Sequence, residues 1–132
     1  LERIGDLAVN IAEVAVRYEN QTLVKPLIHI KKMTAVVEKM LEEIIDAYYN
    51  KDTETAKRVW NEDNNVDEYY LYIKREVREK LVSMTDPNAI GQLLDLMLVS
   101  RFLERAGDHA TNIAEEIYYI EKGESLKEEM RR

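Results

Sequence analysis

The chain has 132 residues, enough for one modest domain or for one repeat with part of another. Apolar residues at 45% supply a core and charged residues at 34% supply long solvated faces, while a net charge of −7 argues against nucleic acid or an anionic membrane and suits cations or a basic protein surface. Without cysteine there are neither disulfides nor thiolate metal ligands, which fits a reducing compartment, and the most apolar stretch, Ile90 to Val99, is interrupted by Gln92 and Asp95 and is too short to cross a membrane.

The apolar periodicity is helical from end to end. Leu1, Ile4, Ala8, Ile11, Ala15 and Tyr18 make a first stripe, broken from Asn20 to Pro26. Pro26 opens the next helix, where its missing N–H costs nothing. Leu27, Ile30, Thr34, Val37, Leu41, Ile44 and Tyr48 form the second stripe, which ends at the turn Asn50-Lys51-Asp52. Asp52 is placed to cap a third helix that carries Ala56, Val59, Val66, Tyr70, Ile73, Val77 and Leu81. Asp86 and Pro87 mark the start of a fourth, which runs to Lys122 before Gly123 stops it. The last nine residues are mostly charged and are expected to fray. Long helices with short loops predict an all-α, antiparallel up-and-down bundle. Residues 21–132 form a complete three-helix unit, and residues 1–20 are read as the last helix of a preceding, truncated repeat.

That reading rests on a duplication. Leu1-Glu2-Arg3-Ile4-Gly5-Asp6-Leu7-Ala8-Val9-Asn10-Ile11-Ala12-Glu13 returns as Leu103-Glu104-Arg105-Ala106-Gly107-Asp108-His109-Ala110-Thr111-Asn112-Ile113-Ala114-Glu115, with ten of thirteen positions identical at an offset of 102 residues. If both copies end equivalent units, roughly 75 further residues of helix would precede the first. Gly5 and Gly107 recur inside helices at a cost of about 1 kcal/mol each against alanine, so a close backbone crossing is expected there. His109 stands where the other copy has Leu7 and is read as an ordinary helix histidine.

Two breaks in the pattern carry chemistry. Asp63 falls on the apolar seam of the third helix, and Asp67 stands one turn further along the same edge. A carboxylate on a seam must pair with a base, bind a cation or lie at a rim, because burying it alone costs several kcal/mol. On the fourth helix the back row Ile90, Leu94 and Met97 continues as Arg101, Glu104, Asp108 and Asn112, an apolar row turning into a ladder of acids and amides. Glu2, Asp6 and Asn10 repeat the ladder in the first copy. Glu-x-x-x-Asp sets two oxygen ligands on adjacent turns. About five such acidic pairs arise by chance in a chain this acidic, so the weight lies in the duplication and in the intrusion of Asp63. The alternative is a solvated face paired with Arg3 and Arg105.

The chain resembles the PhoU family of phosphate-uptake regulators. The likeness lies in both copies of the repeated motif, in Val24-Lys25-Pro26-Leu27, in Asp63-Asn64-Asn65-Val66-Asp67, in Asp86-Pro87, and in Tyr119 with Gly123-Glu124. The resemblance implies two three-helix bundles and multinuclear iron or zinc centres. Asp63, Asp67, Glu104 and Asp108 would form one centre, with Glu2 and Asp6 half of another. It further implies a cytoplasmic, non-enzymatic negative regulator of the phosphate-starvation response. The implied partners are the ATPase subunit of a phosphate ABC transporter and a sensor histidine kinase, with a homodimer allowed. A di-iron carboxylate enzyme would use Glu-x-x-His, which does not occur here. A non-catalytic interaction bundle without metal, within a transporter or another regulator, is the other reading.

Overall fold

Asp52 starts a helix for the reason its position predicts. Its carboxylate accepts from the Thr55 N–H at 3.1 Å and the Thr55 hydroxyl at 2.6 Å, which satisfies an N–H that the first turn leaves open. The computed structural model describes residues 2–16 and 28–132. The break from Asn20 to Pro26, the Pro26 helix start and the motif Val24-Lys25-Pro26-Leu27 lie outside the described residues.

Among the described residues five helices follow in order: α1 (Glu2–Val16), α2 (Ile28–Asn50), α3 (Thr53–Leu81), α4 (Pro87–Lys122) and α5 (Leu126–Arg131). The α2–α3 turn closes in two residues. Lys51 adopts φ 57° and the Asp52 N–H donates to the Ala47 carbonyl at 3.0 Å, the longer of the two hydrogen bonds of a Schellman cap. Asp86 caps α4 through the Asn88 N–H, with Pro87 in the first turn. Gly123, at φ 70°, ends α4 by donating its N–H to the Tyr119 carbonyl at 2.8 Å.

α2, α3 and α4 pack mutually as a three-helix bundle, and α1 lies against α4. The core is Met33, Val37, Met40, Ile44 and Ala47 from α2, Ala56, Val59, Val66, Ile73 and Val77 from α3, and Leu93, Leu103, Ala106, Ala110, Ala114 and Ile117 from α4. The α3 stripe matches its sequence reading. The α2 stripe is rotated: Met33, Met40 and Ala47 are buried where the spacing points to Thr34, Leu41 and Tyr48, and Tyr48 is exposed. Among the described side chains of α1, Leu7 and Val14 are buried, while Ala8 faces outward.

The C-terminal segment is a correction. It forms a capped helix rather than a fraying tail: Ser125 Oγ accepts from the Glu128 N–H and Leu126 is buried. Glu129 stands 3.9 Å from Lys57 of α3. One apolar side chain inside the bundle outweighs the charge of its neighbours.

Candidate metal centre

The α3–α4 interface is the most extensive in the bundle, and Asp63 sits within it. Its stripe neighbours Val59 and Val66 are fully buried, so the intervening position is driven toward α4. What makes room is Gly107: a Cβ there would lie 2.7 Å from Asp63 Oδ1 and 3.4 Å from Val66 Cγ1. The expected close approach thus occurs at Gly107, and the visitor is a carboxylate. Gly5 meets nothing within 4 Å.

Asp63, Asp67 and Asp108 each bring a carboxylate oxygen to within 4.8 Å of the other two. Asp63 Oδ1 is buried and has no hydrogen-bond partner. Burial first, then the charges of Asp67, Asp108 and Glu104, push the Asp63 carboxyl up to about 7. Asp67 is raised by burial and by Asp108. Glu104 is raised by burial and by Asp108, partly offset by Arg101. The Glu104 Oε2 atom is buried without a hydrogen bond, since Arg101 Nε, at 3.8 Å, is in ion-pair range only.

All four acids expected on α3 and α4 therefore meet, three as a tight group and Glu104 beside them. A buried oxygen without a donor, a glycine that clears the space and an all-oxygen set fit a hard or borderline cation. Glu2 and Asp6 are exposed on α1, apart from this cluster. Among the described residues no group of three acid or histidine ligands gathers around them. Glu2 and Arg3 instead line a cavity between α1 and α4 with His109, Asn112 and Glu116.

Sequence reasoning missed the base. It placed Arg101 on the acidic row but offered Arg3 and Arg105 as the pairing bases, whereas Arg101 faces Glu104, and its guanidinium, donating to the Tyr70 hydroxyl oxygen, is held firmly charged. The i, i+3 spacing of Arg101 and Glu104 carried that signal. A cavity of about 430 Å³ adjoins the acids, lined by Trp60, Asp63, Asp108, Glu115 and Lys127. Trp60 Nε1 donates to Glu115 Oε1 at 3.1 Å across it.

The architecture defines a class first: an antiparallel helical bundle with an acidic cluster between its two longest described helices. Residues 30–117 match the PhoU domain. A phosphate-specific transport system accessory protein PhoU homolog of Caulobacter vibrioides is 40% identical over 127 residues, 96% of this chain and 54% of its own length. PhoU homolog 1 of Thermotoga maritima is 37% identical over 133 residues, 99% of this chain and 56% of its own. The crystal structure of PhoU from Pseudomonas aeruginosa superposes with a TM-score of 0.86 at 35% identity, covering 93% of this chain and 58% of that one. The chain belongs to the PhoU family. It spans about half the length of the curated relatives it matches.

Proposed function

We propose that the chain is the cation-binding bundle of a non-enzymatic accessory protein of phosphate transport, and that Asp63, Asp67, Glu104 and Asp108 hold its metal. The observation that carries the reading is Asp63, whose Oδ1 is buried against Gly107 without a hydrogen-bond donor and whose carboxylate gathers with those of Asp67 and Asp108. Such an arrangement is unfavourable for a protein without a counter-ion. A bound cation would supply the positive charge that Arg101, in ion-pair range of Glu104, does not bring to the three aspartates. The donors are oxygen throughout, which suits iron better than zinc, a metal that favours nitrogen and sulfur. The protein's own part is to fix the oxygens: Gly107 admits Asp63, and Arg101 orients Glu104.

In the same reading the protein is cytoplasmic and restrains the phosphate-starvation response when phosphate is plentiful. It does so by coupling the ATPase subunit of a phosphate ABC transporter to a sensor histidine kinase. The relatives' names as phosphate-specific transport accessory proteins support the transport half. No helix among the described residues is long and apolar enough to cross a membrane.

The test is elemental analysis of the intact protein purified without chelator, beside D63N/D108N. Near-stoichiometric metal in the parent and none in the variant, with helix content kept, is expected. Equal metal in both would overturn the site. Pull-down at low salt should recover the transporter ATPase subunit or the kinase, and recovery of neither overturns the signalling half.

A further inference from the structure

Helix α3 has a second edge of polar and aromatic residues, turned away from the acidic cluster. Glu62, Asn65, Tyr69 and Tyr72 recur at spacings of three and four, so they form one stripe toward α2. With Glu68, and with His29 and Val36 of α2, they line a groove of about 510 Å³. His29 stacks on Tyr72 with ring centroids 4.3 Å apart and planes tilted by 50°. Asn65 Nδ2 donates to Glu62 Oε1 at 3.0 Å, which orients that carboxylate. Tyr72 is 48% exposed although it is large and aromatic.

The lining decides what fits. Two glutamates repel anions, so phosphate is excluded. Among the described residues the group of three metal ligands lies on the other edge, so a bare metal ion is not favoured here. The α2 lysines 31, 32 and 39 are exposed and outside the lining, and Lys39 turns to Glu43 at 3.8 Å. What remains is an organic cation with a flat face, able to stack on tyrosine and to fork onto a carboxylate. Guanidinium meets both demands, and ammonium only the charge.

We propose that this α2–α3 groove binds an arginine-bearing basic segment of a partner protein, with guanidinium groups stacked at Tyr72 and paired with Glu62 and Glu68. The two carboxylate positions are six residues apart on α3, a rise of about 9 Å. A segment in the polyproline II conformation, with three residues per turn, covers about 9 Å in three residues and returns its side chains to the same side. The favoured segment therefore places two arginines three positions apart. Charge complementarity with a chain of net charge −7 speaks for the same class of partner.

The test titrates the intact protein, observed by NMR, with a capped peptide carrying two arginines at that spacing. Resonances of His29, Tyr69 and Tyr72 should shift, E62Q/E68Q should weaken binding by at least about tenfold, and D63N/D108N should bind as the parent does. Circular dichroism confirms that the variants fold, since every altered carboxylate is replaced by its amide. Shifts confined to Asp67 and Asp108, or undiminished binding by E62Q/E68Q, would overturn the proposal. So would equal affinity for the same peptide with lysines in place of the arginines.

Discussion

A β-carbon on Gly107 would stand 2.7 Å from Asp63 Oδ1, so the glycine of one helix and the acid of the next form a single device. Gly107→Ala gains about 1 kcal/mol of helix propensity and loses at least part of it to the clash. Its stability should change little. Its metal affinity should fall at least tenfold, because the carboxylate must swing away, and calorimetric titration with ferrous or zinc ions measures this. In the 132-residue chain Gly5→Ala meets nothing within 4 Å and should stabilise by up to about 1 kcal/mol with no effect on metal. Unchanged affinity in Gly107→Ala would show that the cradle is not needed.

Asp63 sets a pH dependence in chelator-treated protein. Its carboxyl titrates at about 7 when folded against 3.8 ordinarily, so between those values the unfolded chain releases a proton that the folded one keeps. This contribution is present in full below pH 3.8 and is lost as pH rises through 7. The gap corresponds to at most ~4 kcal/mol, which solvent screening at a half-exposed group reduces to about 1–2 kcal/mol. Asp63→Asn, which carries no charge, should therefore be more stable than the parent by that amount at pH 8 and equal to it near pH 4. Thermal unfolding in chelator at both pH values checks it, and a constant difference would contradict the assignment.

Asp63 was legible because a strict spacing of three and four leaves one position for it, and its neighbours Val59 and Val66 are apolar. Glu104 and Asp108 were legible through the duplicated motif, which sets them apart from the acidic pairs expected by chance. The α2 register was not. Met33 and Thr34, Met40 and Leu41, Ala47 and Tyr48 offer two parallel stripes, and the choice between them is made by α3 and α4 jointly. The Arg101–Tyr70 contact joins helices across the bundle, and periodicity within one helix carries no information about it.

Trp60 is the chain's one tryptophan, and it borders the cavity that Asp63 and Asp108 also line. Its indole is fixed by the 3.1 Å hydrogen bond to Glu115. Charge placed among the acids should shift the emission, and iron should quench it more than zinc does. Adding metal to chelator-treated protein should therefore change Trp60 fluorescence in the parent and leave D63N/D108N unaffected. Identical responses would locate the binding elsewhere.

Helix α5 tests how a charged tail is held. Six residues are too few for a stable helix in water, so its order must come from the bundle. Leu126 is 1% exposed, whereas the Lys57–Glu129 pair at 3.9 Å is partly solvated and contributes little. Leu126→Ala should cost about 2–3 kcal/mol, a fall of roughly 6–10 °C in Tm. Ser125→Ala, which removes the weak 3.4 Å cap, should cost about 0.5–1 kcal/mol. Amide exchange across residues 126–131 should rise toward unprotected rates in Leu126→Ala. A loss below about 0.5 kcal/mol would mean that the segment is not anchored by its leucine.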